Sequence, residues 1–170
     1  MPLNLASRER LQPSLLDRLT DLNPEQTRDP PDQQALTMAA LRQAVLRDLA
    51  WLLNATNLDT TEDLTQTPHA ASSTLNYGIP GFAGLFELTR RTQALEAAIA
   101  TAIKTFEPRI APQTVRVRAR APSDTDGPTA LVFDIEGELW AQPVPQQLFL
   151  QTAIELETRL AVVKDARPRG

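Results

Sequence analysis

Cysteine is absent from this chain of 170 residues, and histidine occurs once, as His69. The first absence excludes disulfides, thiol nucleophiles and zinc sites built from cysteine. A single imidazole does not make a histidine metal site. Glycine is also scarce, with six residues, and none of them has the spacing of a phosphate-binding loop. These absences predict a protein with no metal site and no cofactor.

A long apolar run is missing as well. Arg8, Glu9 and Arg10 stand where a signal peptide would need apolar residues. No stretch approaches the roughly 18 apolar residues of a membrane span. The formal net charge of −4 argues against general nucleic-acid binding. We therefore expect a cytoplasmic protein with no membrane span and no nucleic-acid partner.

The residues that are present indicate one domain preceded by an arm. We expect residues 1–31 to form a flexible N-terminal arm, 32–165 a single domain and 166–170 a disordered tail. Within the arm, Ser14 would cap a short docking helix and Asp17 would stabilise its first turn. The leucines of this helix are Leu15, Leu16 and Leu19. So short a helix is marginal alone, so the arm either stays floppy or binds a partner.

Helical periodicity marks two long segments and a short one. Residues 33–54 carry an apolar stripe, with Asp32 as the expected N-cap and Asp48 as an unexpected charge beside the stripe. A short helix is predicted to begin at Pro68 and to end near Gly78, with residues 79–81 as a turn. Residues 85–106 have the most regular three- and four-residue spacing in the chain.

Alternation replaces helical periodicity after residue 114. Three arginines would face outward on a first strand and three acids on the return strand, as cross-strand neighbours. The expected inward residues are Val115, Val117, Ala119 and Ala121, then Leu131, Phe133, Ile135 and Leu139; the outward ones are Arg116, Arg118 and Arg120, then Asp134, Glu136 and Glu138. Residues 122–128 would form the hairpin loop, and residues 148–156 and 160–163 two further strands.

These elements predict an α+β fold. Two long helices and a short one would pack on one face of a small antiparallel sheet of three to four strands.

The corner between the second long helix and the first strand is the candidate site. Pro108 ends the helix by its missing N–H, but ending a helix needs neither Glu107 nor Arg109 beside it. An exposed pair would contribute no more than about 1 kcal/mol. A desolvated pair would cost about 3–5 kcal/mol on losing one partner. A rigid corner with both charge signs suits docking of another protein.

Enzymatic alternatives would use the carboxylates or the histidine of the chain. A peptidoglycan-cleaving glycosidase would use Glu107 with Asp134, Glu136 or Glu138. Arg109 lowers the pKa of a neighbouring carboxylate, which disfavours a general acid. His69 stands at the start of a short helix without a nucleophile elbow, so an exposed or capping role is expected. The arginine strand could form a polyanion-binding face, but the negative charge of the neighbouring acidic strand offsets its positive charge.

Several segments, in order along the chain, carry a resemblance to a known family. They are residues 15–19 (Leu-Leu-Asp-Arg-Leu), 45–49 (Val-Leu-Arg-Asp-Leu), 51–54 (Trp-Leu-Leu-Asn), 75–80 (Leu-Asn-Tyr-Gly-Ile-Pro), 107–109 (Glu-Pro-Arg), 115–117 (Val-Arg-Val) and 135–139 (Ile-Glu-Gly-Glu-Leu). Together they resemble the TssE family of type VI secretion baseplate subunits. That family is similar to the contractile-phage baseplate wedge protein labelled "lysozyme-like".

The resemblance implies a structural role without catalysis or a small-molecule substrate. Its implied partners are the wedge subunits TssF, TssG and TssK and the sheath subunits TssB and TssC, whose polymerisation it would help to start. Assembly would take place at the inner face of the cytoplasmic membrane of a Gram-negative bacterium. The family's docking element maps onto Glu107, Pro108 and Arg109, which with the leucines of the arm are the expected partner-binding residues.

Overall fold

A computed structural model describes residues 14–20, 24–25, 37–81, 88–121, 130–140, 146–155, 158 and 160–166. The α-helices are α1 (Leu15–Leu19), α2 (Met38–Asn54), α3 (Pro68–Ala71) and α4 (Leu88–Phe106). The strands are β1 (Arg116–Arg120), β2 (Ala130–Leu139), β3 (Gln146–Glu155) and β4 (Ala161–Asp165). Short 3-10 turns occupy Leu58–Thr60, Thr74–Asn76 and Pro112–Thr114.

The sheet is an antiparallel meander in the order β1-β2-β3-β4. Both long helices contact it, α2 along β4 and α4 along β1, and they also contact each other. The fold is therefore α+β, as the sequence predicts.

The core lies between the two long helices and the inner face of the sheet. Apolar residues from α2, α4 and the strands form one cluster, including Val45, Leu49, Leu53, Ile99, Ile103, Phe133, Ile135, Leu150 and Ile154. Burial of this apolar area is the main favourable term for folding. Thr152 is the polar exception on this face, with 0% exposure.

The first long helix is shorter than its periodicity predicts. Thr37 has extended backbone, and its hydroxyl accepts a hydrogen bond from the N–H of Ala40 at 3.1 Å, so α2 begins at Met38. A predicted start at residue 33 is therefore wrong, because the side-chain cap at Thr37 makes Met38 the first helical residue. The predicted N-cap Asp32 and the predicted start of the second long helix, 85–87, lie outside the described residues.

The short helix also differs from expectation. It ends at Ala71, and residues up to Gly78 continue through a 3-10 turn. Gly78 has φ +124, and a Cβ built there would lie 2.4 Å from the carbonyl oxygen of Ala55. Glycine is required by this backbone approach and not by a helix end. Ile79 forms a parallel bridge with Thr56 instead of the predicted turn.

The strand pattern is confirmed in its centre and fails at its ends. Arg116 lies opposite Glu136 and Arg118 opposite Asp134, as predicted. Arg120 lies opposite Val132, which is buried on the face expected to be polar, but it pairs diagonally with Asp134, whose Oδ1 lies 3.5 Å from its Nε. Ala119 and Ala121, predicted inward, are exposed because β1 is an edge strand. The predicted hairpin loop, 122–128, lies outside the described residues.

Candidate functional site

The two charged residues of the corner after α4, Glu107 and Arg109, bind each other. The N–H of Glu107 still bonds to the carbonyl oxygen of Ile103 at 2.9 Å, and Pro108 then stops the helix. Arg109 donates three hydrogen bonds to the Glu107 carboxylate. Oε1 accepts from the backbone N–H at 3.1 Å and from Nε at 2.7 Å, and Oε2 accepts from Nη2. This bidentate contact holds a carboxylate that is only 3% exposed.

A second carboxylate shares the same guanidinium. Asp48 of α2, the charge beside the apolar stripe, accepts a hydrogen bond from Arg109 Nη2 at 2.6 Å. Burial would lower the pKa of Arg109, but its bonds to Glu107 and Asp48 raise it. Tyr77 lies nearby: burial raises the pKa of its hydroxyl, and the charges of Asp48 and Glu107 raise it further. The unexpected charge of Asp48 therefore has an arginine partner.

Arg47 continues the chain of ion pairs outward. Its Nε donates to Asp48 Oδ1 at 2.8 Å, and its Nη1 donates to Asp17 Oδ1 at 2.7 Å. Nη2 lies 2.8 Å from the same Asp48 oxygen but lacks hydrogen-bond geometry. The guanidinium carbon also lies 5.1 Å from the ring centroid of Trp51, a cation–π distance.

Asp17 connects the N-terminal helix to this cluster. Ser14 caps α1 as predicted, and its hydroxyl donates to Asp17 Oδ2 at 2.6 Å. Burial alone would raise the pKa of Asp17, but the bonds from Ser14 and Arg47 outweigh it and hold that pKa below its usual value. We call the five linked residues the charge cluster: Asp17, Arg47, Asp48, Glu107 and Arg109.

The leucines of α1 project away from the fold while Asp17 is held. Leu15, Leu16 and Leu19 are 71%, 43% and 74% exposed, and no residue of α1 is buried. A helix of this length is unstable without contacts beyond its own backbone. The ion pair between Asp17 and Arg47 supplies one such contact and holds α1 against α2.

Trp140 is a neighbour of the corner that sequence reasoning missed. Its N–H donates to the carbonyl oxygen of Arg109 at 2.8 Å, beside a bridge between Ile110 and Leu139. Arg109 and Trp140 are therefore directly opposite each other in a short antiparallel ladder, with their side chains on the same side. Trp140 is 70% exposed. Its only sequence signal is rarity, since the chain has two tryptophans.

Arg47 was missed for a different reason. A solvated arginine is the ordinary expectation for a residue outside the apolar stripe of α2. Its role depends on Asp17, which lies 30 residues earlier in the chain. Adjacency of Arg47 and Asp48 was the available signal, because a charge beside an apolar stripe needs a partner.

The glycosidase arrangement receives no support from the geometry. Both oxygens of Glu107 accept from Arg109, whereas Asp134 and Glu136 lie on the sheet face that also carries Arg116 and Arg118. His69 is exposed, as expected.

Two kinds of feature are absent from the described residues. Within those ranges, no group of three His, Cys, Asp or Glu is placed to hold a metal ion. No helix in the same part of the chain is long and apolar enough to cross a membrane.

Comparison with known protein families gave a match. A family model described as baseplate wedge protein gp25 matches residues 39–144, more than half of the chain. No curated protein and no solved structure matches significantly. The matched span contains four members of the charge cluster and excludes Asp17 and α1.

Proposed function

Since this chain belongs to the family of the baseplate wedge protein gp25, we propose that it is a wedge subunit in the baseplate of a type VI secretion system. It docks onto the other wedge subunits, TssF, TssG and TssK, and helps to start assembly of the contractile sheath from TssB and TssC. The family match supports the baseplate role, and the order of the matching segments supports the secretion-system assignment.

The observation that carries the proposal is the charge cluster. It connects two stretches that are far apart in sequence, α1 and the corner at residues 107–109, through hydrogen bonds of 2.6–2.8 Å. Charges already paired and oriented in the free protein lose less conformational entropy on binding than freely rotating ones. Complementary charges also fix the register of an interface. The cluster is therefore suited to present one docking surface.

Within this surface the residues have different tasks. Glu107 is buried and acts on a partner indirectly, by orienting the Arg109 side chain, which is 22% exposed. Pro108 is exposed at the tip of the corner. Leu15, Leu16 and Leu19 supply apolar area beside these polar groups, an arrangement typical of interfaces with an apolar core and a polar rim.

Sheath initiation is proposed for the edges of the sheet. β1 and β4 are the edges of the sheet, and an edge strand pairs with an extended segment of another chain through main-chain hydrogen bonds. A sheath subunit that displaced the α2 and α4 side chains bonded to these edges and added a strand would begin the first ring.

We propose no catalytic activity, cofactor or small-molecule substrate for this protein, and a cytoplasmic location at the inner face of the membrane. The engagement of both Glu107 oxygens by Arg109 supports a structural role for that carboxylate. No observation favours the glycosidase, so it is not carried further.

The docking proposal is tested by co-purification with co-expressed TssF, TssG and TssK. Leu15→Ser combined with Leu19→Ser, and separately Arg109→Lys, are expected to lose most wedge partner while circular dichroism stays at the wild-type level. Leu75→Ser is the matched control, because Leu75 is 71% exposed on a different element. Undiminished binding by both folded variants would overturn the docking site.

A further inference from the structure

The outer edge of β4 has a simple hydrogen-bond pattern. The N–H of Glu155 donates to the carbonyl oxygen of Leu160, and the N–H of Ala166 donates to that of Phe149. Even-numbered residues of β4 therefore pair with β3, and the backbone groups of the odd-numbered ones point away from the sheet. The outward groups belong to Ala161, Val163 and Asp165.

Asn54, the last residue of α2, occupies one of these three positions completely. Its Oδ1 accepts from the N–H of Ala161 at 2.9 Å, and its Nδ2 donates to the carbonyl oxygen of Ala161 at 2.9 Å. The amide thus imitates the peptide group of a neighbouring strand. Nδ2 also donates to the carbonyl oxygen of Ala50 at 2.7 Å, which orients the side chain from its own helix.

This position matters for pairing between two copies of the chain. In an antiparallel, two-fold pairing centred on Val163, Ala161 of each copy would exchange hydrogen bonds with Asp165 of the other. Asn54 already holds Ala161 in both copies. In this register only the pair formed by the two Val163 residues remains available. A register centred on Lys164 leaves two pairs, each of Val163 with Asp165 of the other copy, and so short a ladder does not hold two strands together.

We propose that Asn54 guards the β4 edge and prevents edge-to-edge pairing with a second copy of this chain. Exposed edges are a known route to self-association, and proteins protect them by covering or blocking the strand. The β1 edge has a comparable feature, since Glu96 of α4 accepts a hydrogen bond from the N–H of Ala119. The exposed side chains of Leu160 and Val162 would otherwise favour pairing at β4.

The inference goes beyond the proposed docking function, and its test needs no wedge subunit. If Asn54 does not prevent self-pairing, the proposed docking at the corner still stands. If docking at the corner fails, the proposed role of Asn54 still stands.

The test compares wild type, Asn54→Ala and Gln43→Ala by sedimentation velocity over a wide range of protein concentration. Gln43 is an exposed amide on the same helix and serves as the matched control. Wild type and Gln43→Ala are expected to stay monomeric, whereas Asn54→Ala is expected to form a concentration-dependent dimer. Adding Val163→Pro should restore the monomer, because the N–H that proline removes points away from β3.

Hydrogen exchange at the Ala161 amide provides the second readout. At concentrations low enough to keep Asn54→Ala monomeric, loss of the Asn54 partner should speed exchange on the order of fivefold, the factor for one net hydrogen bond. In the dimer, Asp165 of the other copy would bond to this amide and slow its exchange again. Faster exchange in a variant that stays monomeric at every concentration would overturn the proposal that Asn54 prevents self-pairing. Unchanged exchange would overturn the Asn54 contact itself. If the alanine variant does not fold, both measurements are repeated with Asn54→Ser.

Discussion

Replacing Arg109 with alanine is expected to lower the free energy of unfolding by about 3–5 kcal/mol. The change removes the guanidinium that binds both oxygens of Glu107, whose side chain is only 3% exposed. Water does not reach the carboxylate freely, so the charge is left buried with one backbone hydrogen bond from residue 109.

The size of this loss comes mainly from Glu107. Asp48 also loses a bond to Arg109, but it is 23% exposed and keeps its contact with Arg47. Its contribution is accordingly small. A domain of this size has a total stability of about 5–15 kcal/mol, so Arg109→Ala removes a large share of it.

The assay is urea unfolding followed by far-ultraviolet circular dichroism. Arg42→Ala is the matched control, because Arg42 pairs with Asp165 at the surface, where side-chain exposures are 25% and 41%. Its loss should stay within about 1 kcal/mol. A loss for Arg109→Ala no larger than that of Arg42→Ala would refute the reasoning.

A double variant separates the buried charge from packing. Glu107→Gln keeps the size of the side chain and removes its charge. Arg109→Ala combined with Glu107→Gln should therefore be more stable than Arg109→Ala alone, since no buried charge is left without its partner. Equal instability of the single and double variants would assign the loss to packing of the arginine stem.

Two further predictions concern other parts of the chain. Thr152→Val should raise the free energy of unfolding by about 1 kcal/mol in the same urea assay, because the Thr152 hydroxyl is buried without a hydrogen-bond partner; a loss of stability would contradict this. The depressed pKa of Asp17 means that the folded chain binds its proton less readily than the unfolded chain. Its stabilisation of α1 is therefore full above pH about 4 and lost as the pH falls through the lower folded pKa. Amide chemical shifts of α1 should report this loss, and Asp17→Asn should abolish the pH dependence; the same transition in that variant would rule out Asp17.

Sequence patterns predicted most of the elements because those patterns are local. The stripe in 85–106, the alternation after 114 and the proline at 108 each act through near neighbours in the chain. Errors arose where a single contact overrode the pattern. Thr37 capped α2 later than its periodicity indicated, and the Gly78 backbone served a close approach to Ala55.

The candidate site was only partly predictable. The triplet at 107–109 and the leucines of α1 were identified, and they stay predictions as partner-binding residues. Asp48 was noted as unexpected, whereas Arg47, Trp140 and Asn54 drew no functional interpretation.

The sequence by itself determined the fold class, the order of the elements and the rigid corner at Pro108, since these follow from periodicity, caps and backbone chemistry over a few residues. Only the tertiary structure decided which charges meet. Arg109 reaches Asp48 across 61 residues of sequence, and Asn54 reaches Ala161 across 107. Such contacts depend on how helices are placed on the sheet, which core packing sets and no local pattern encodes.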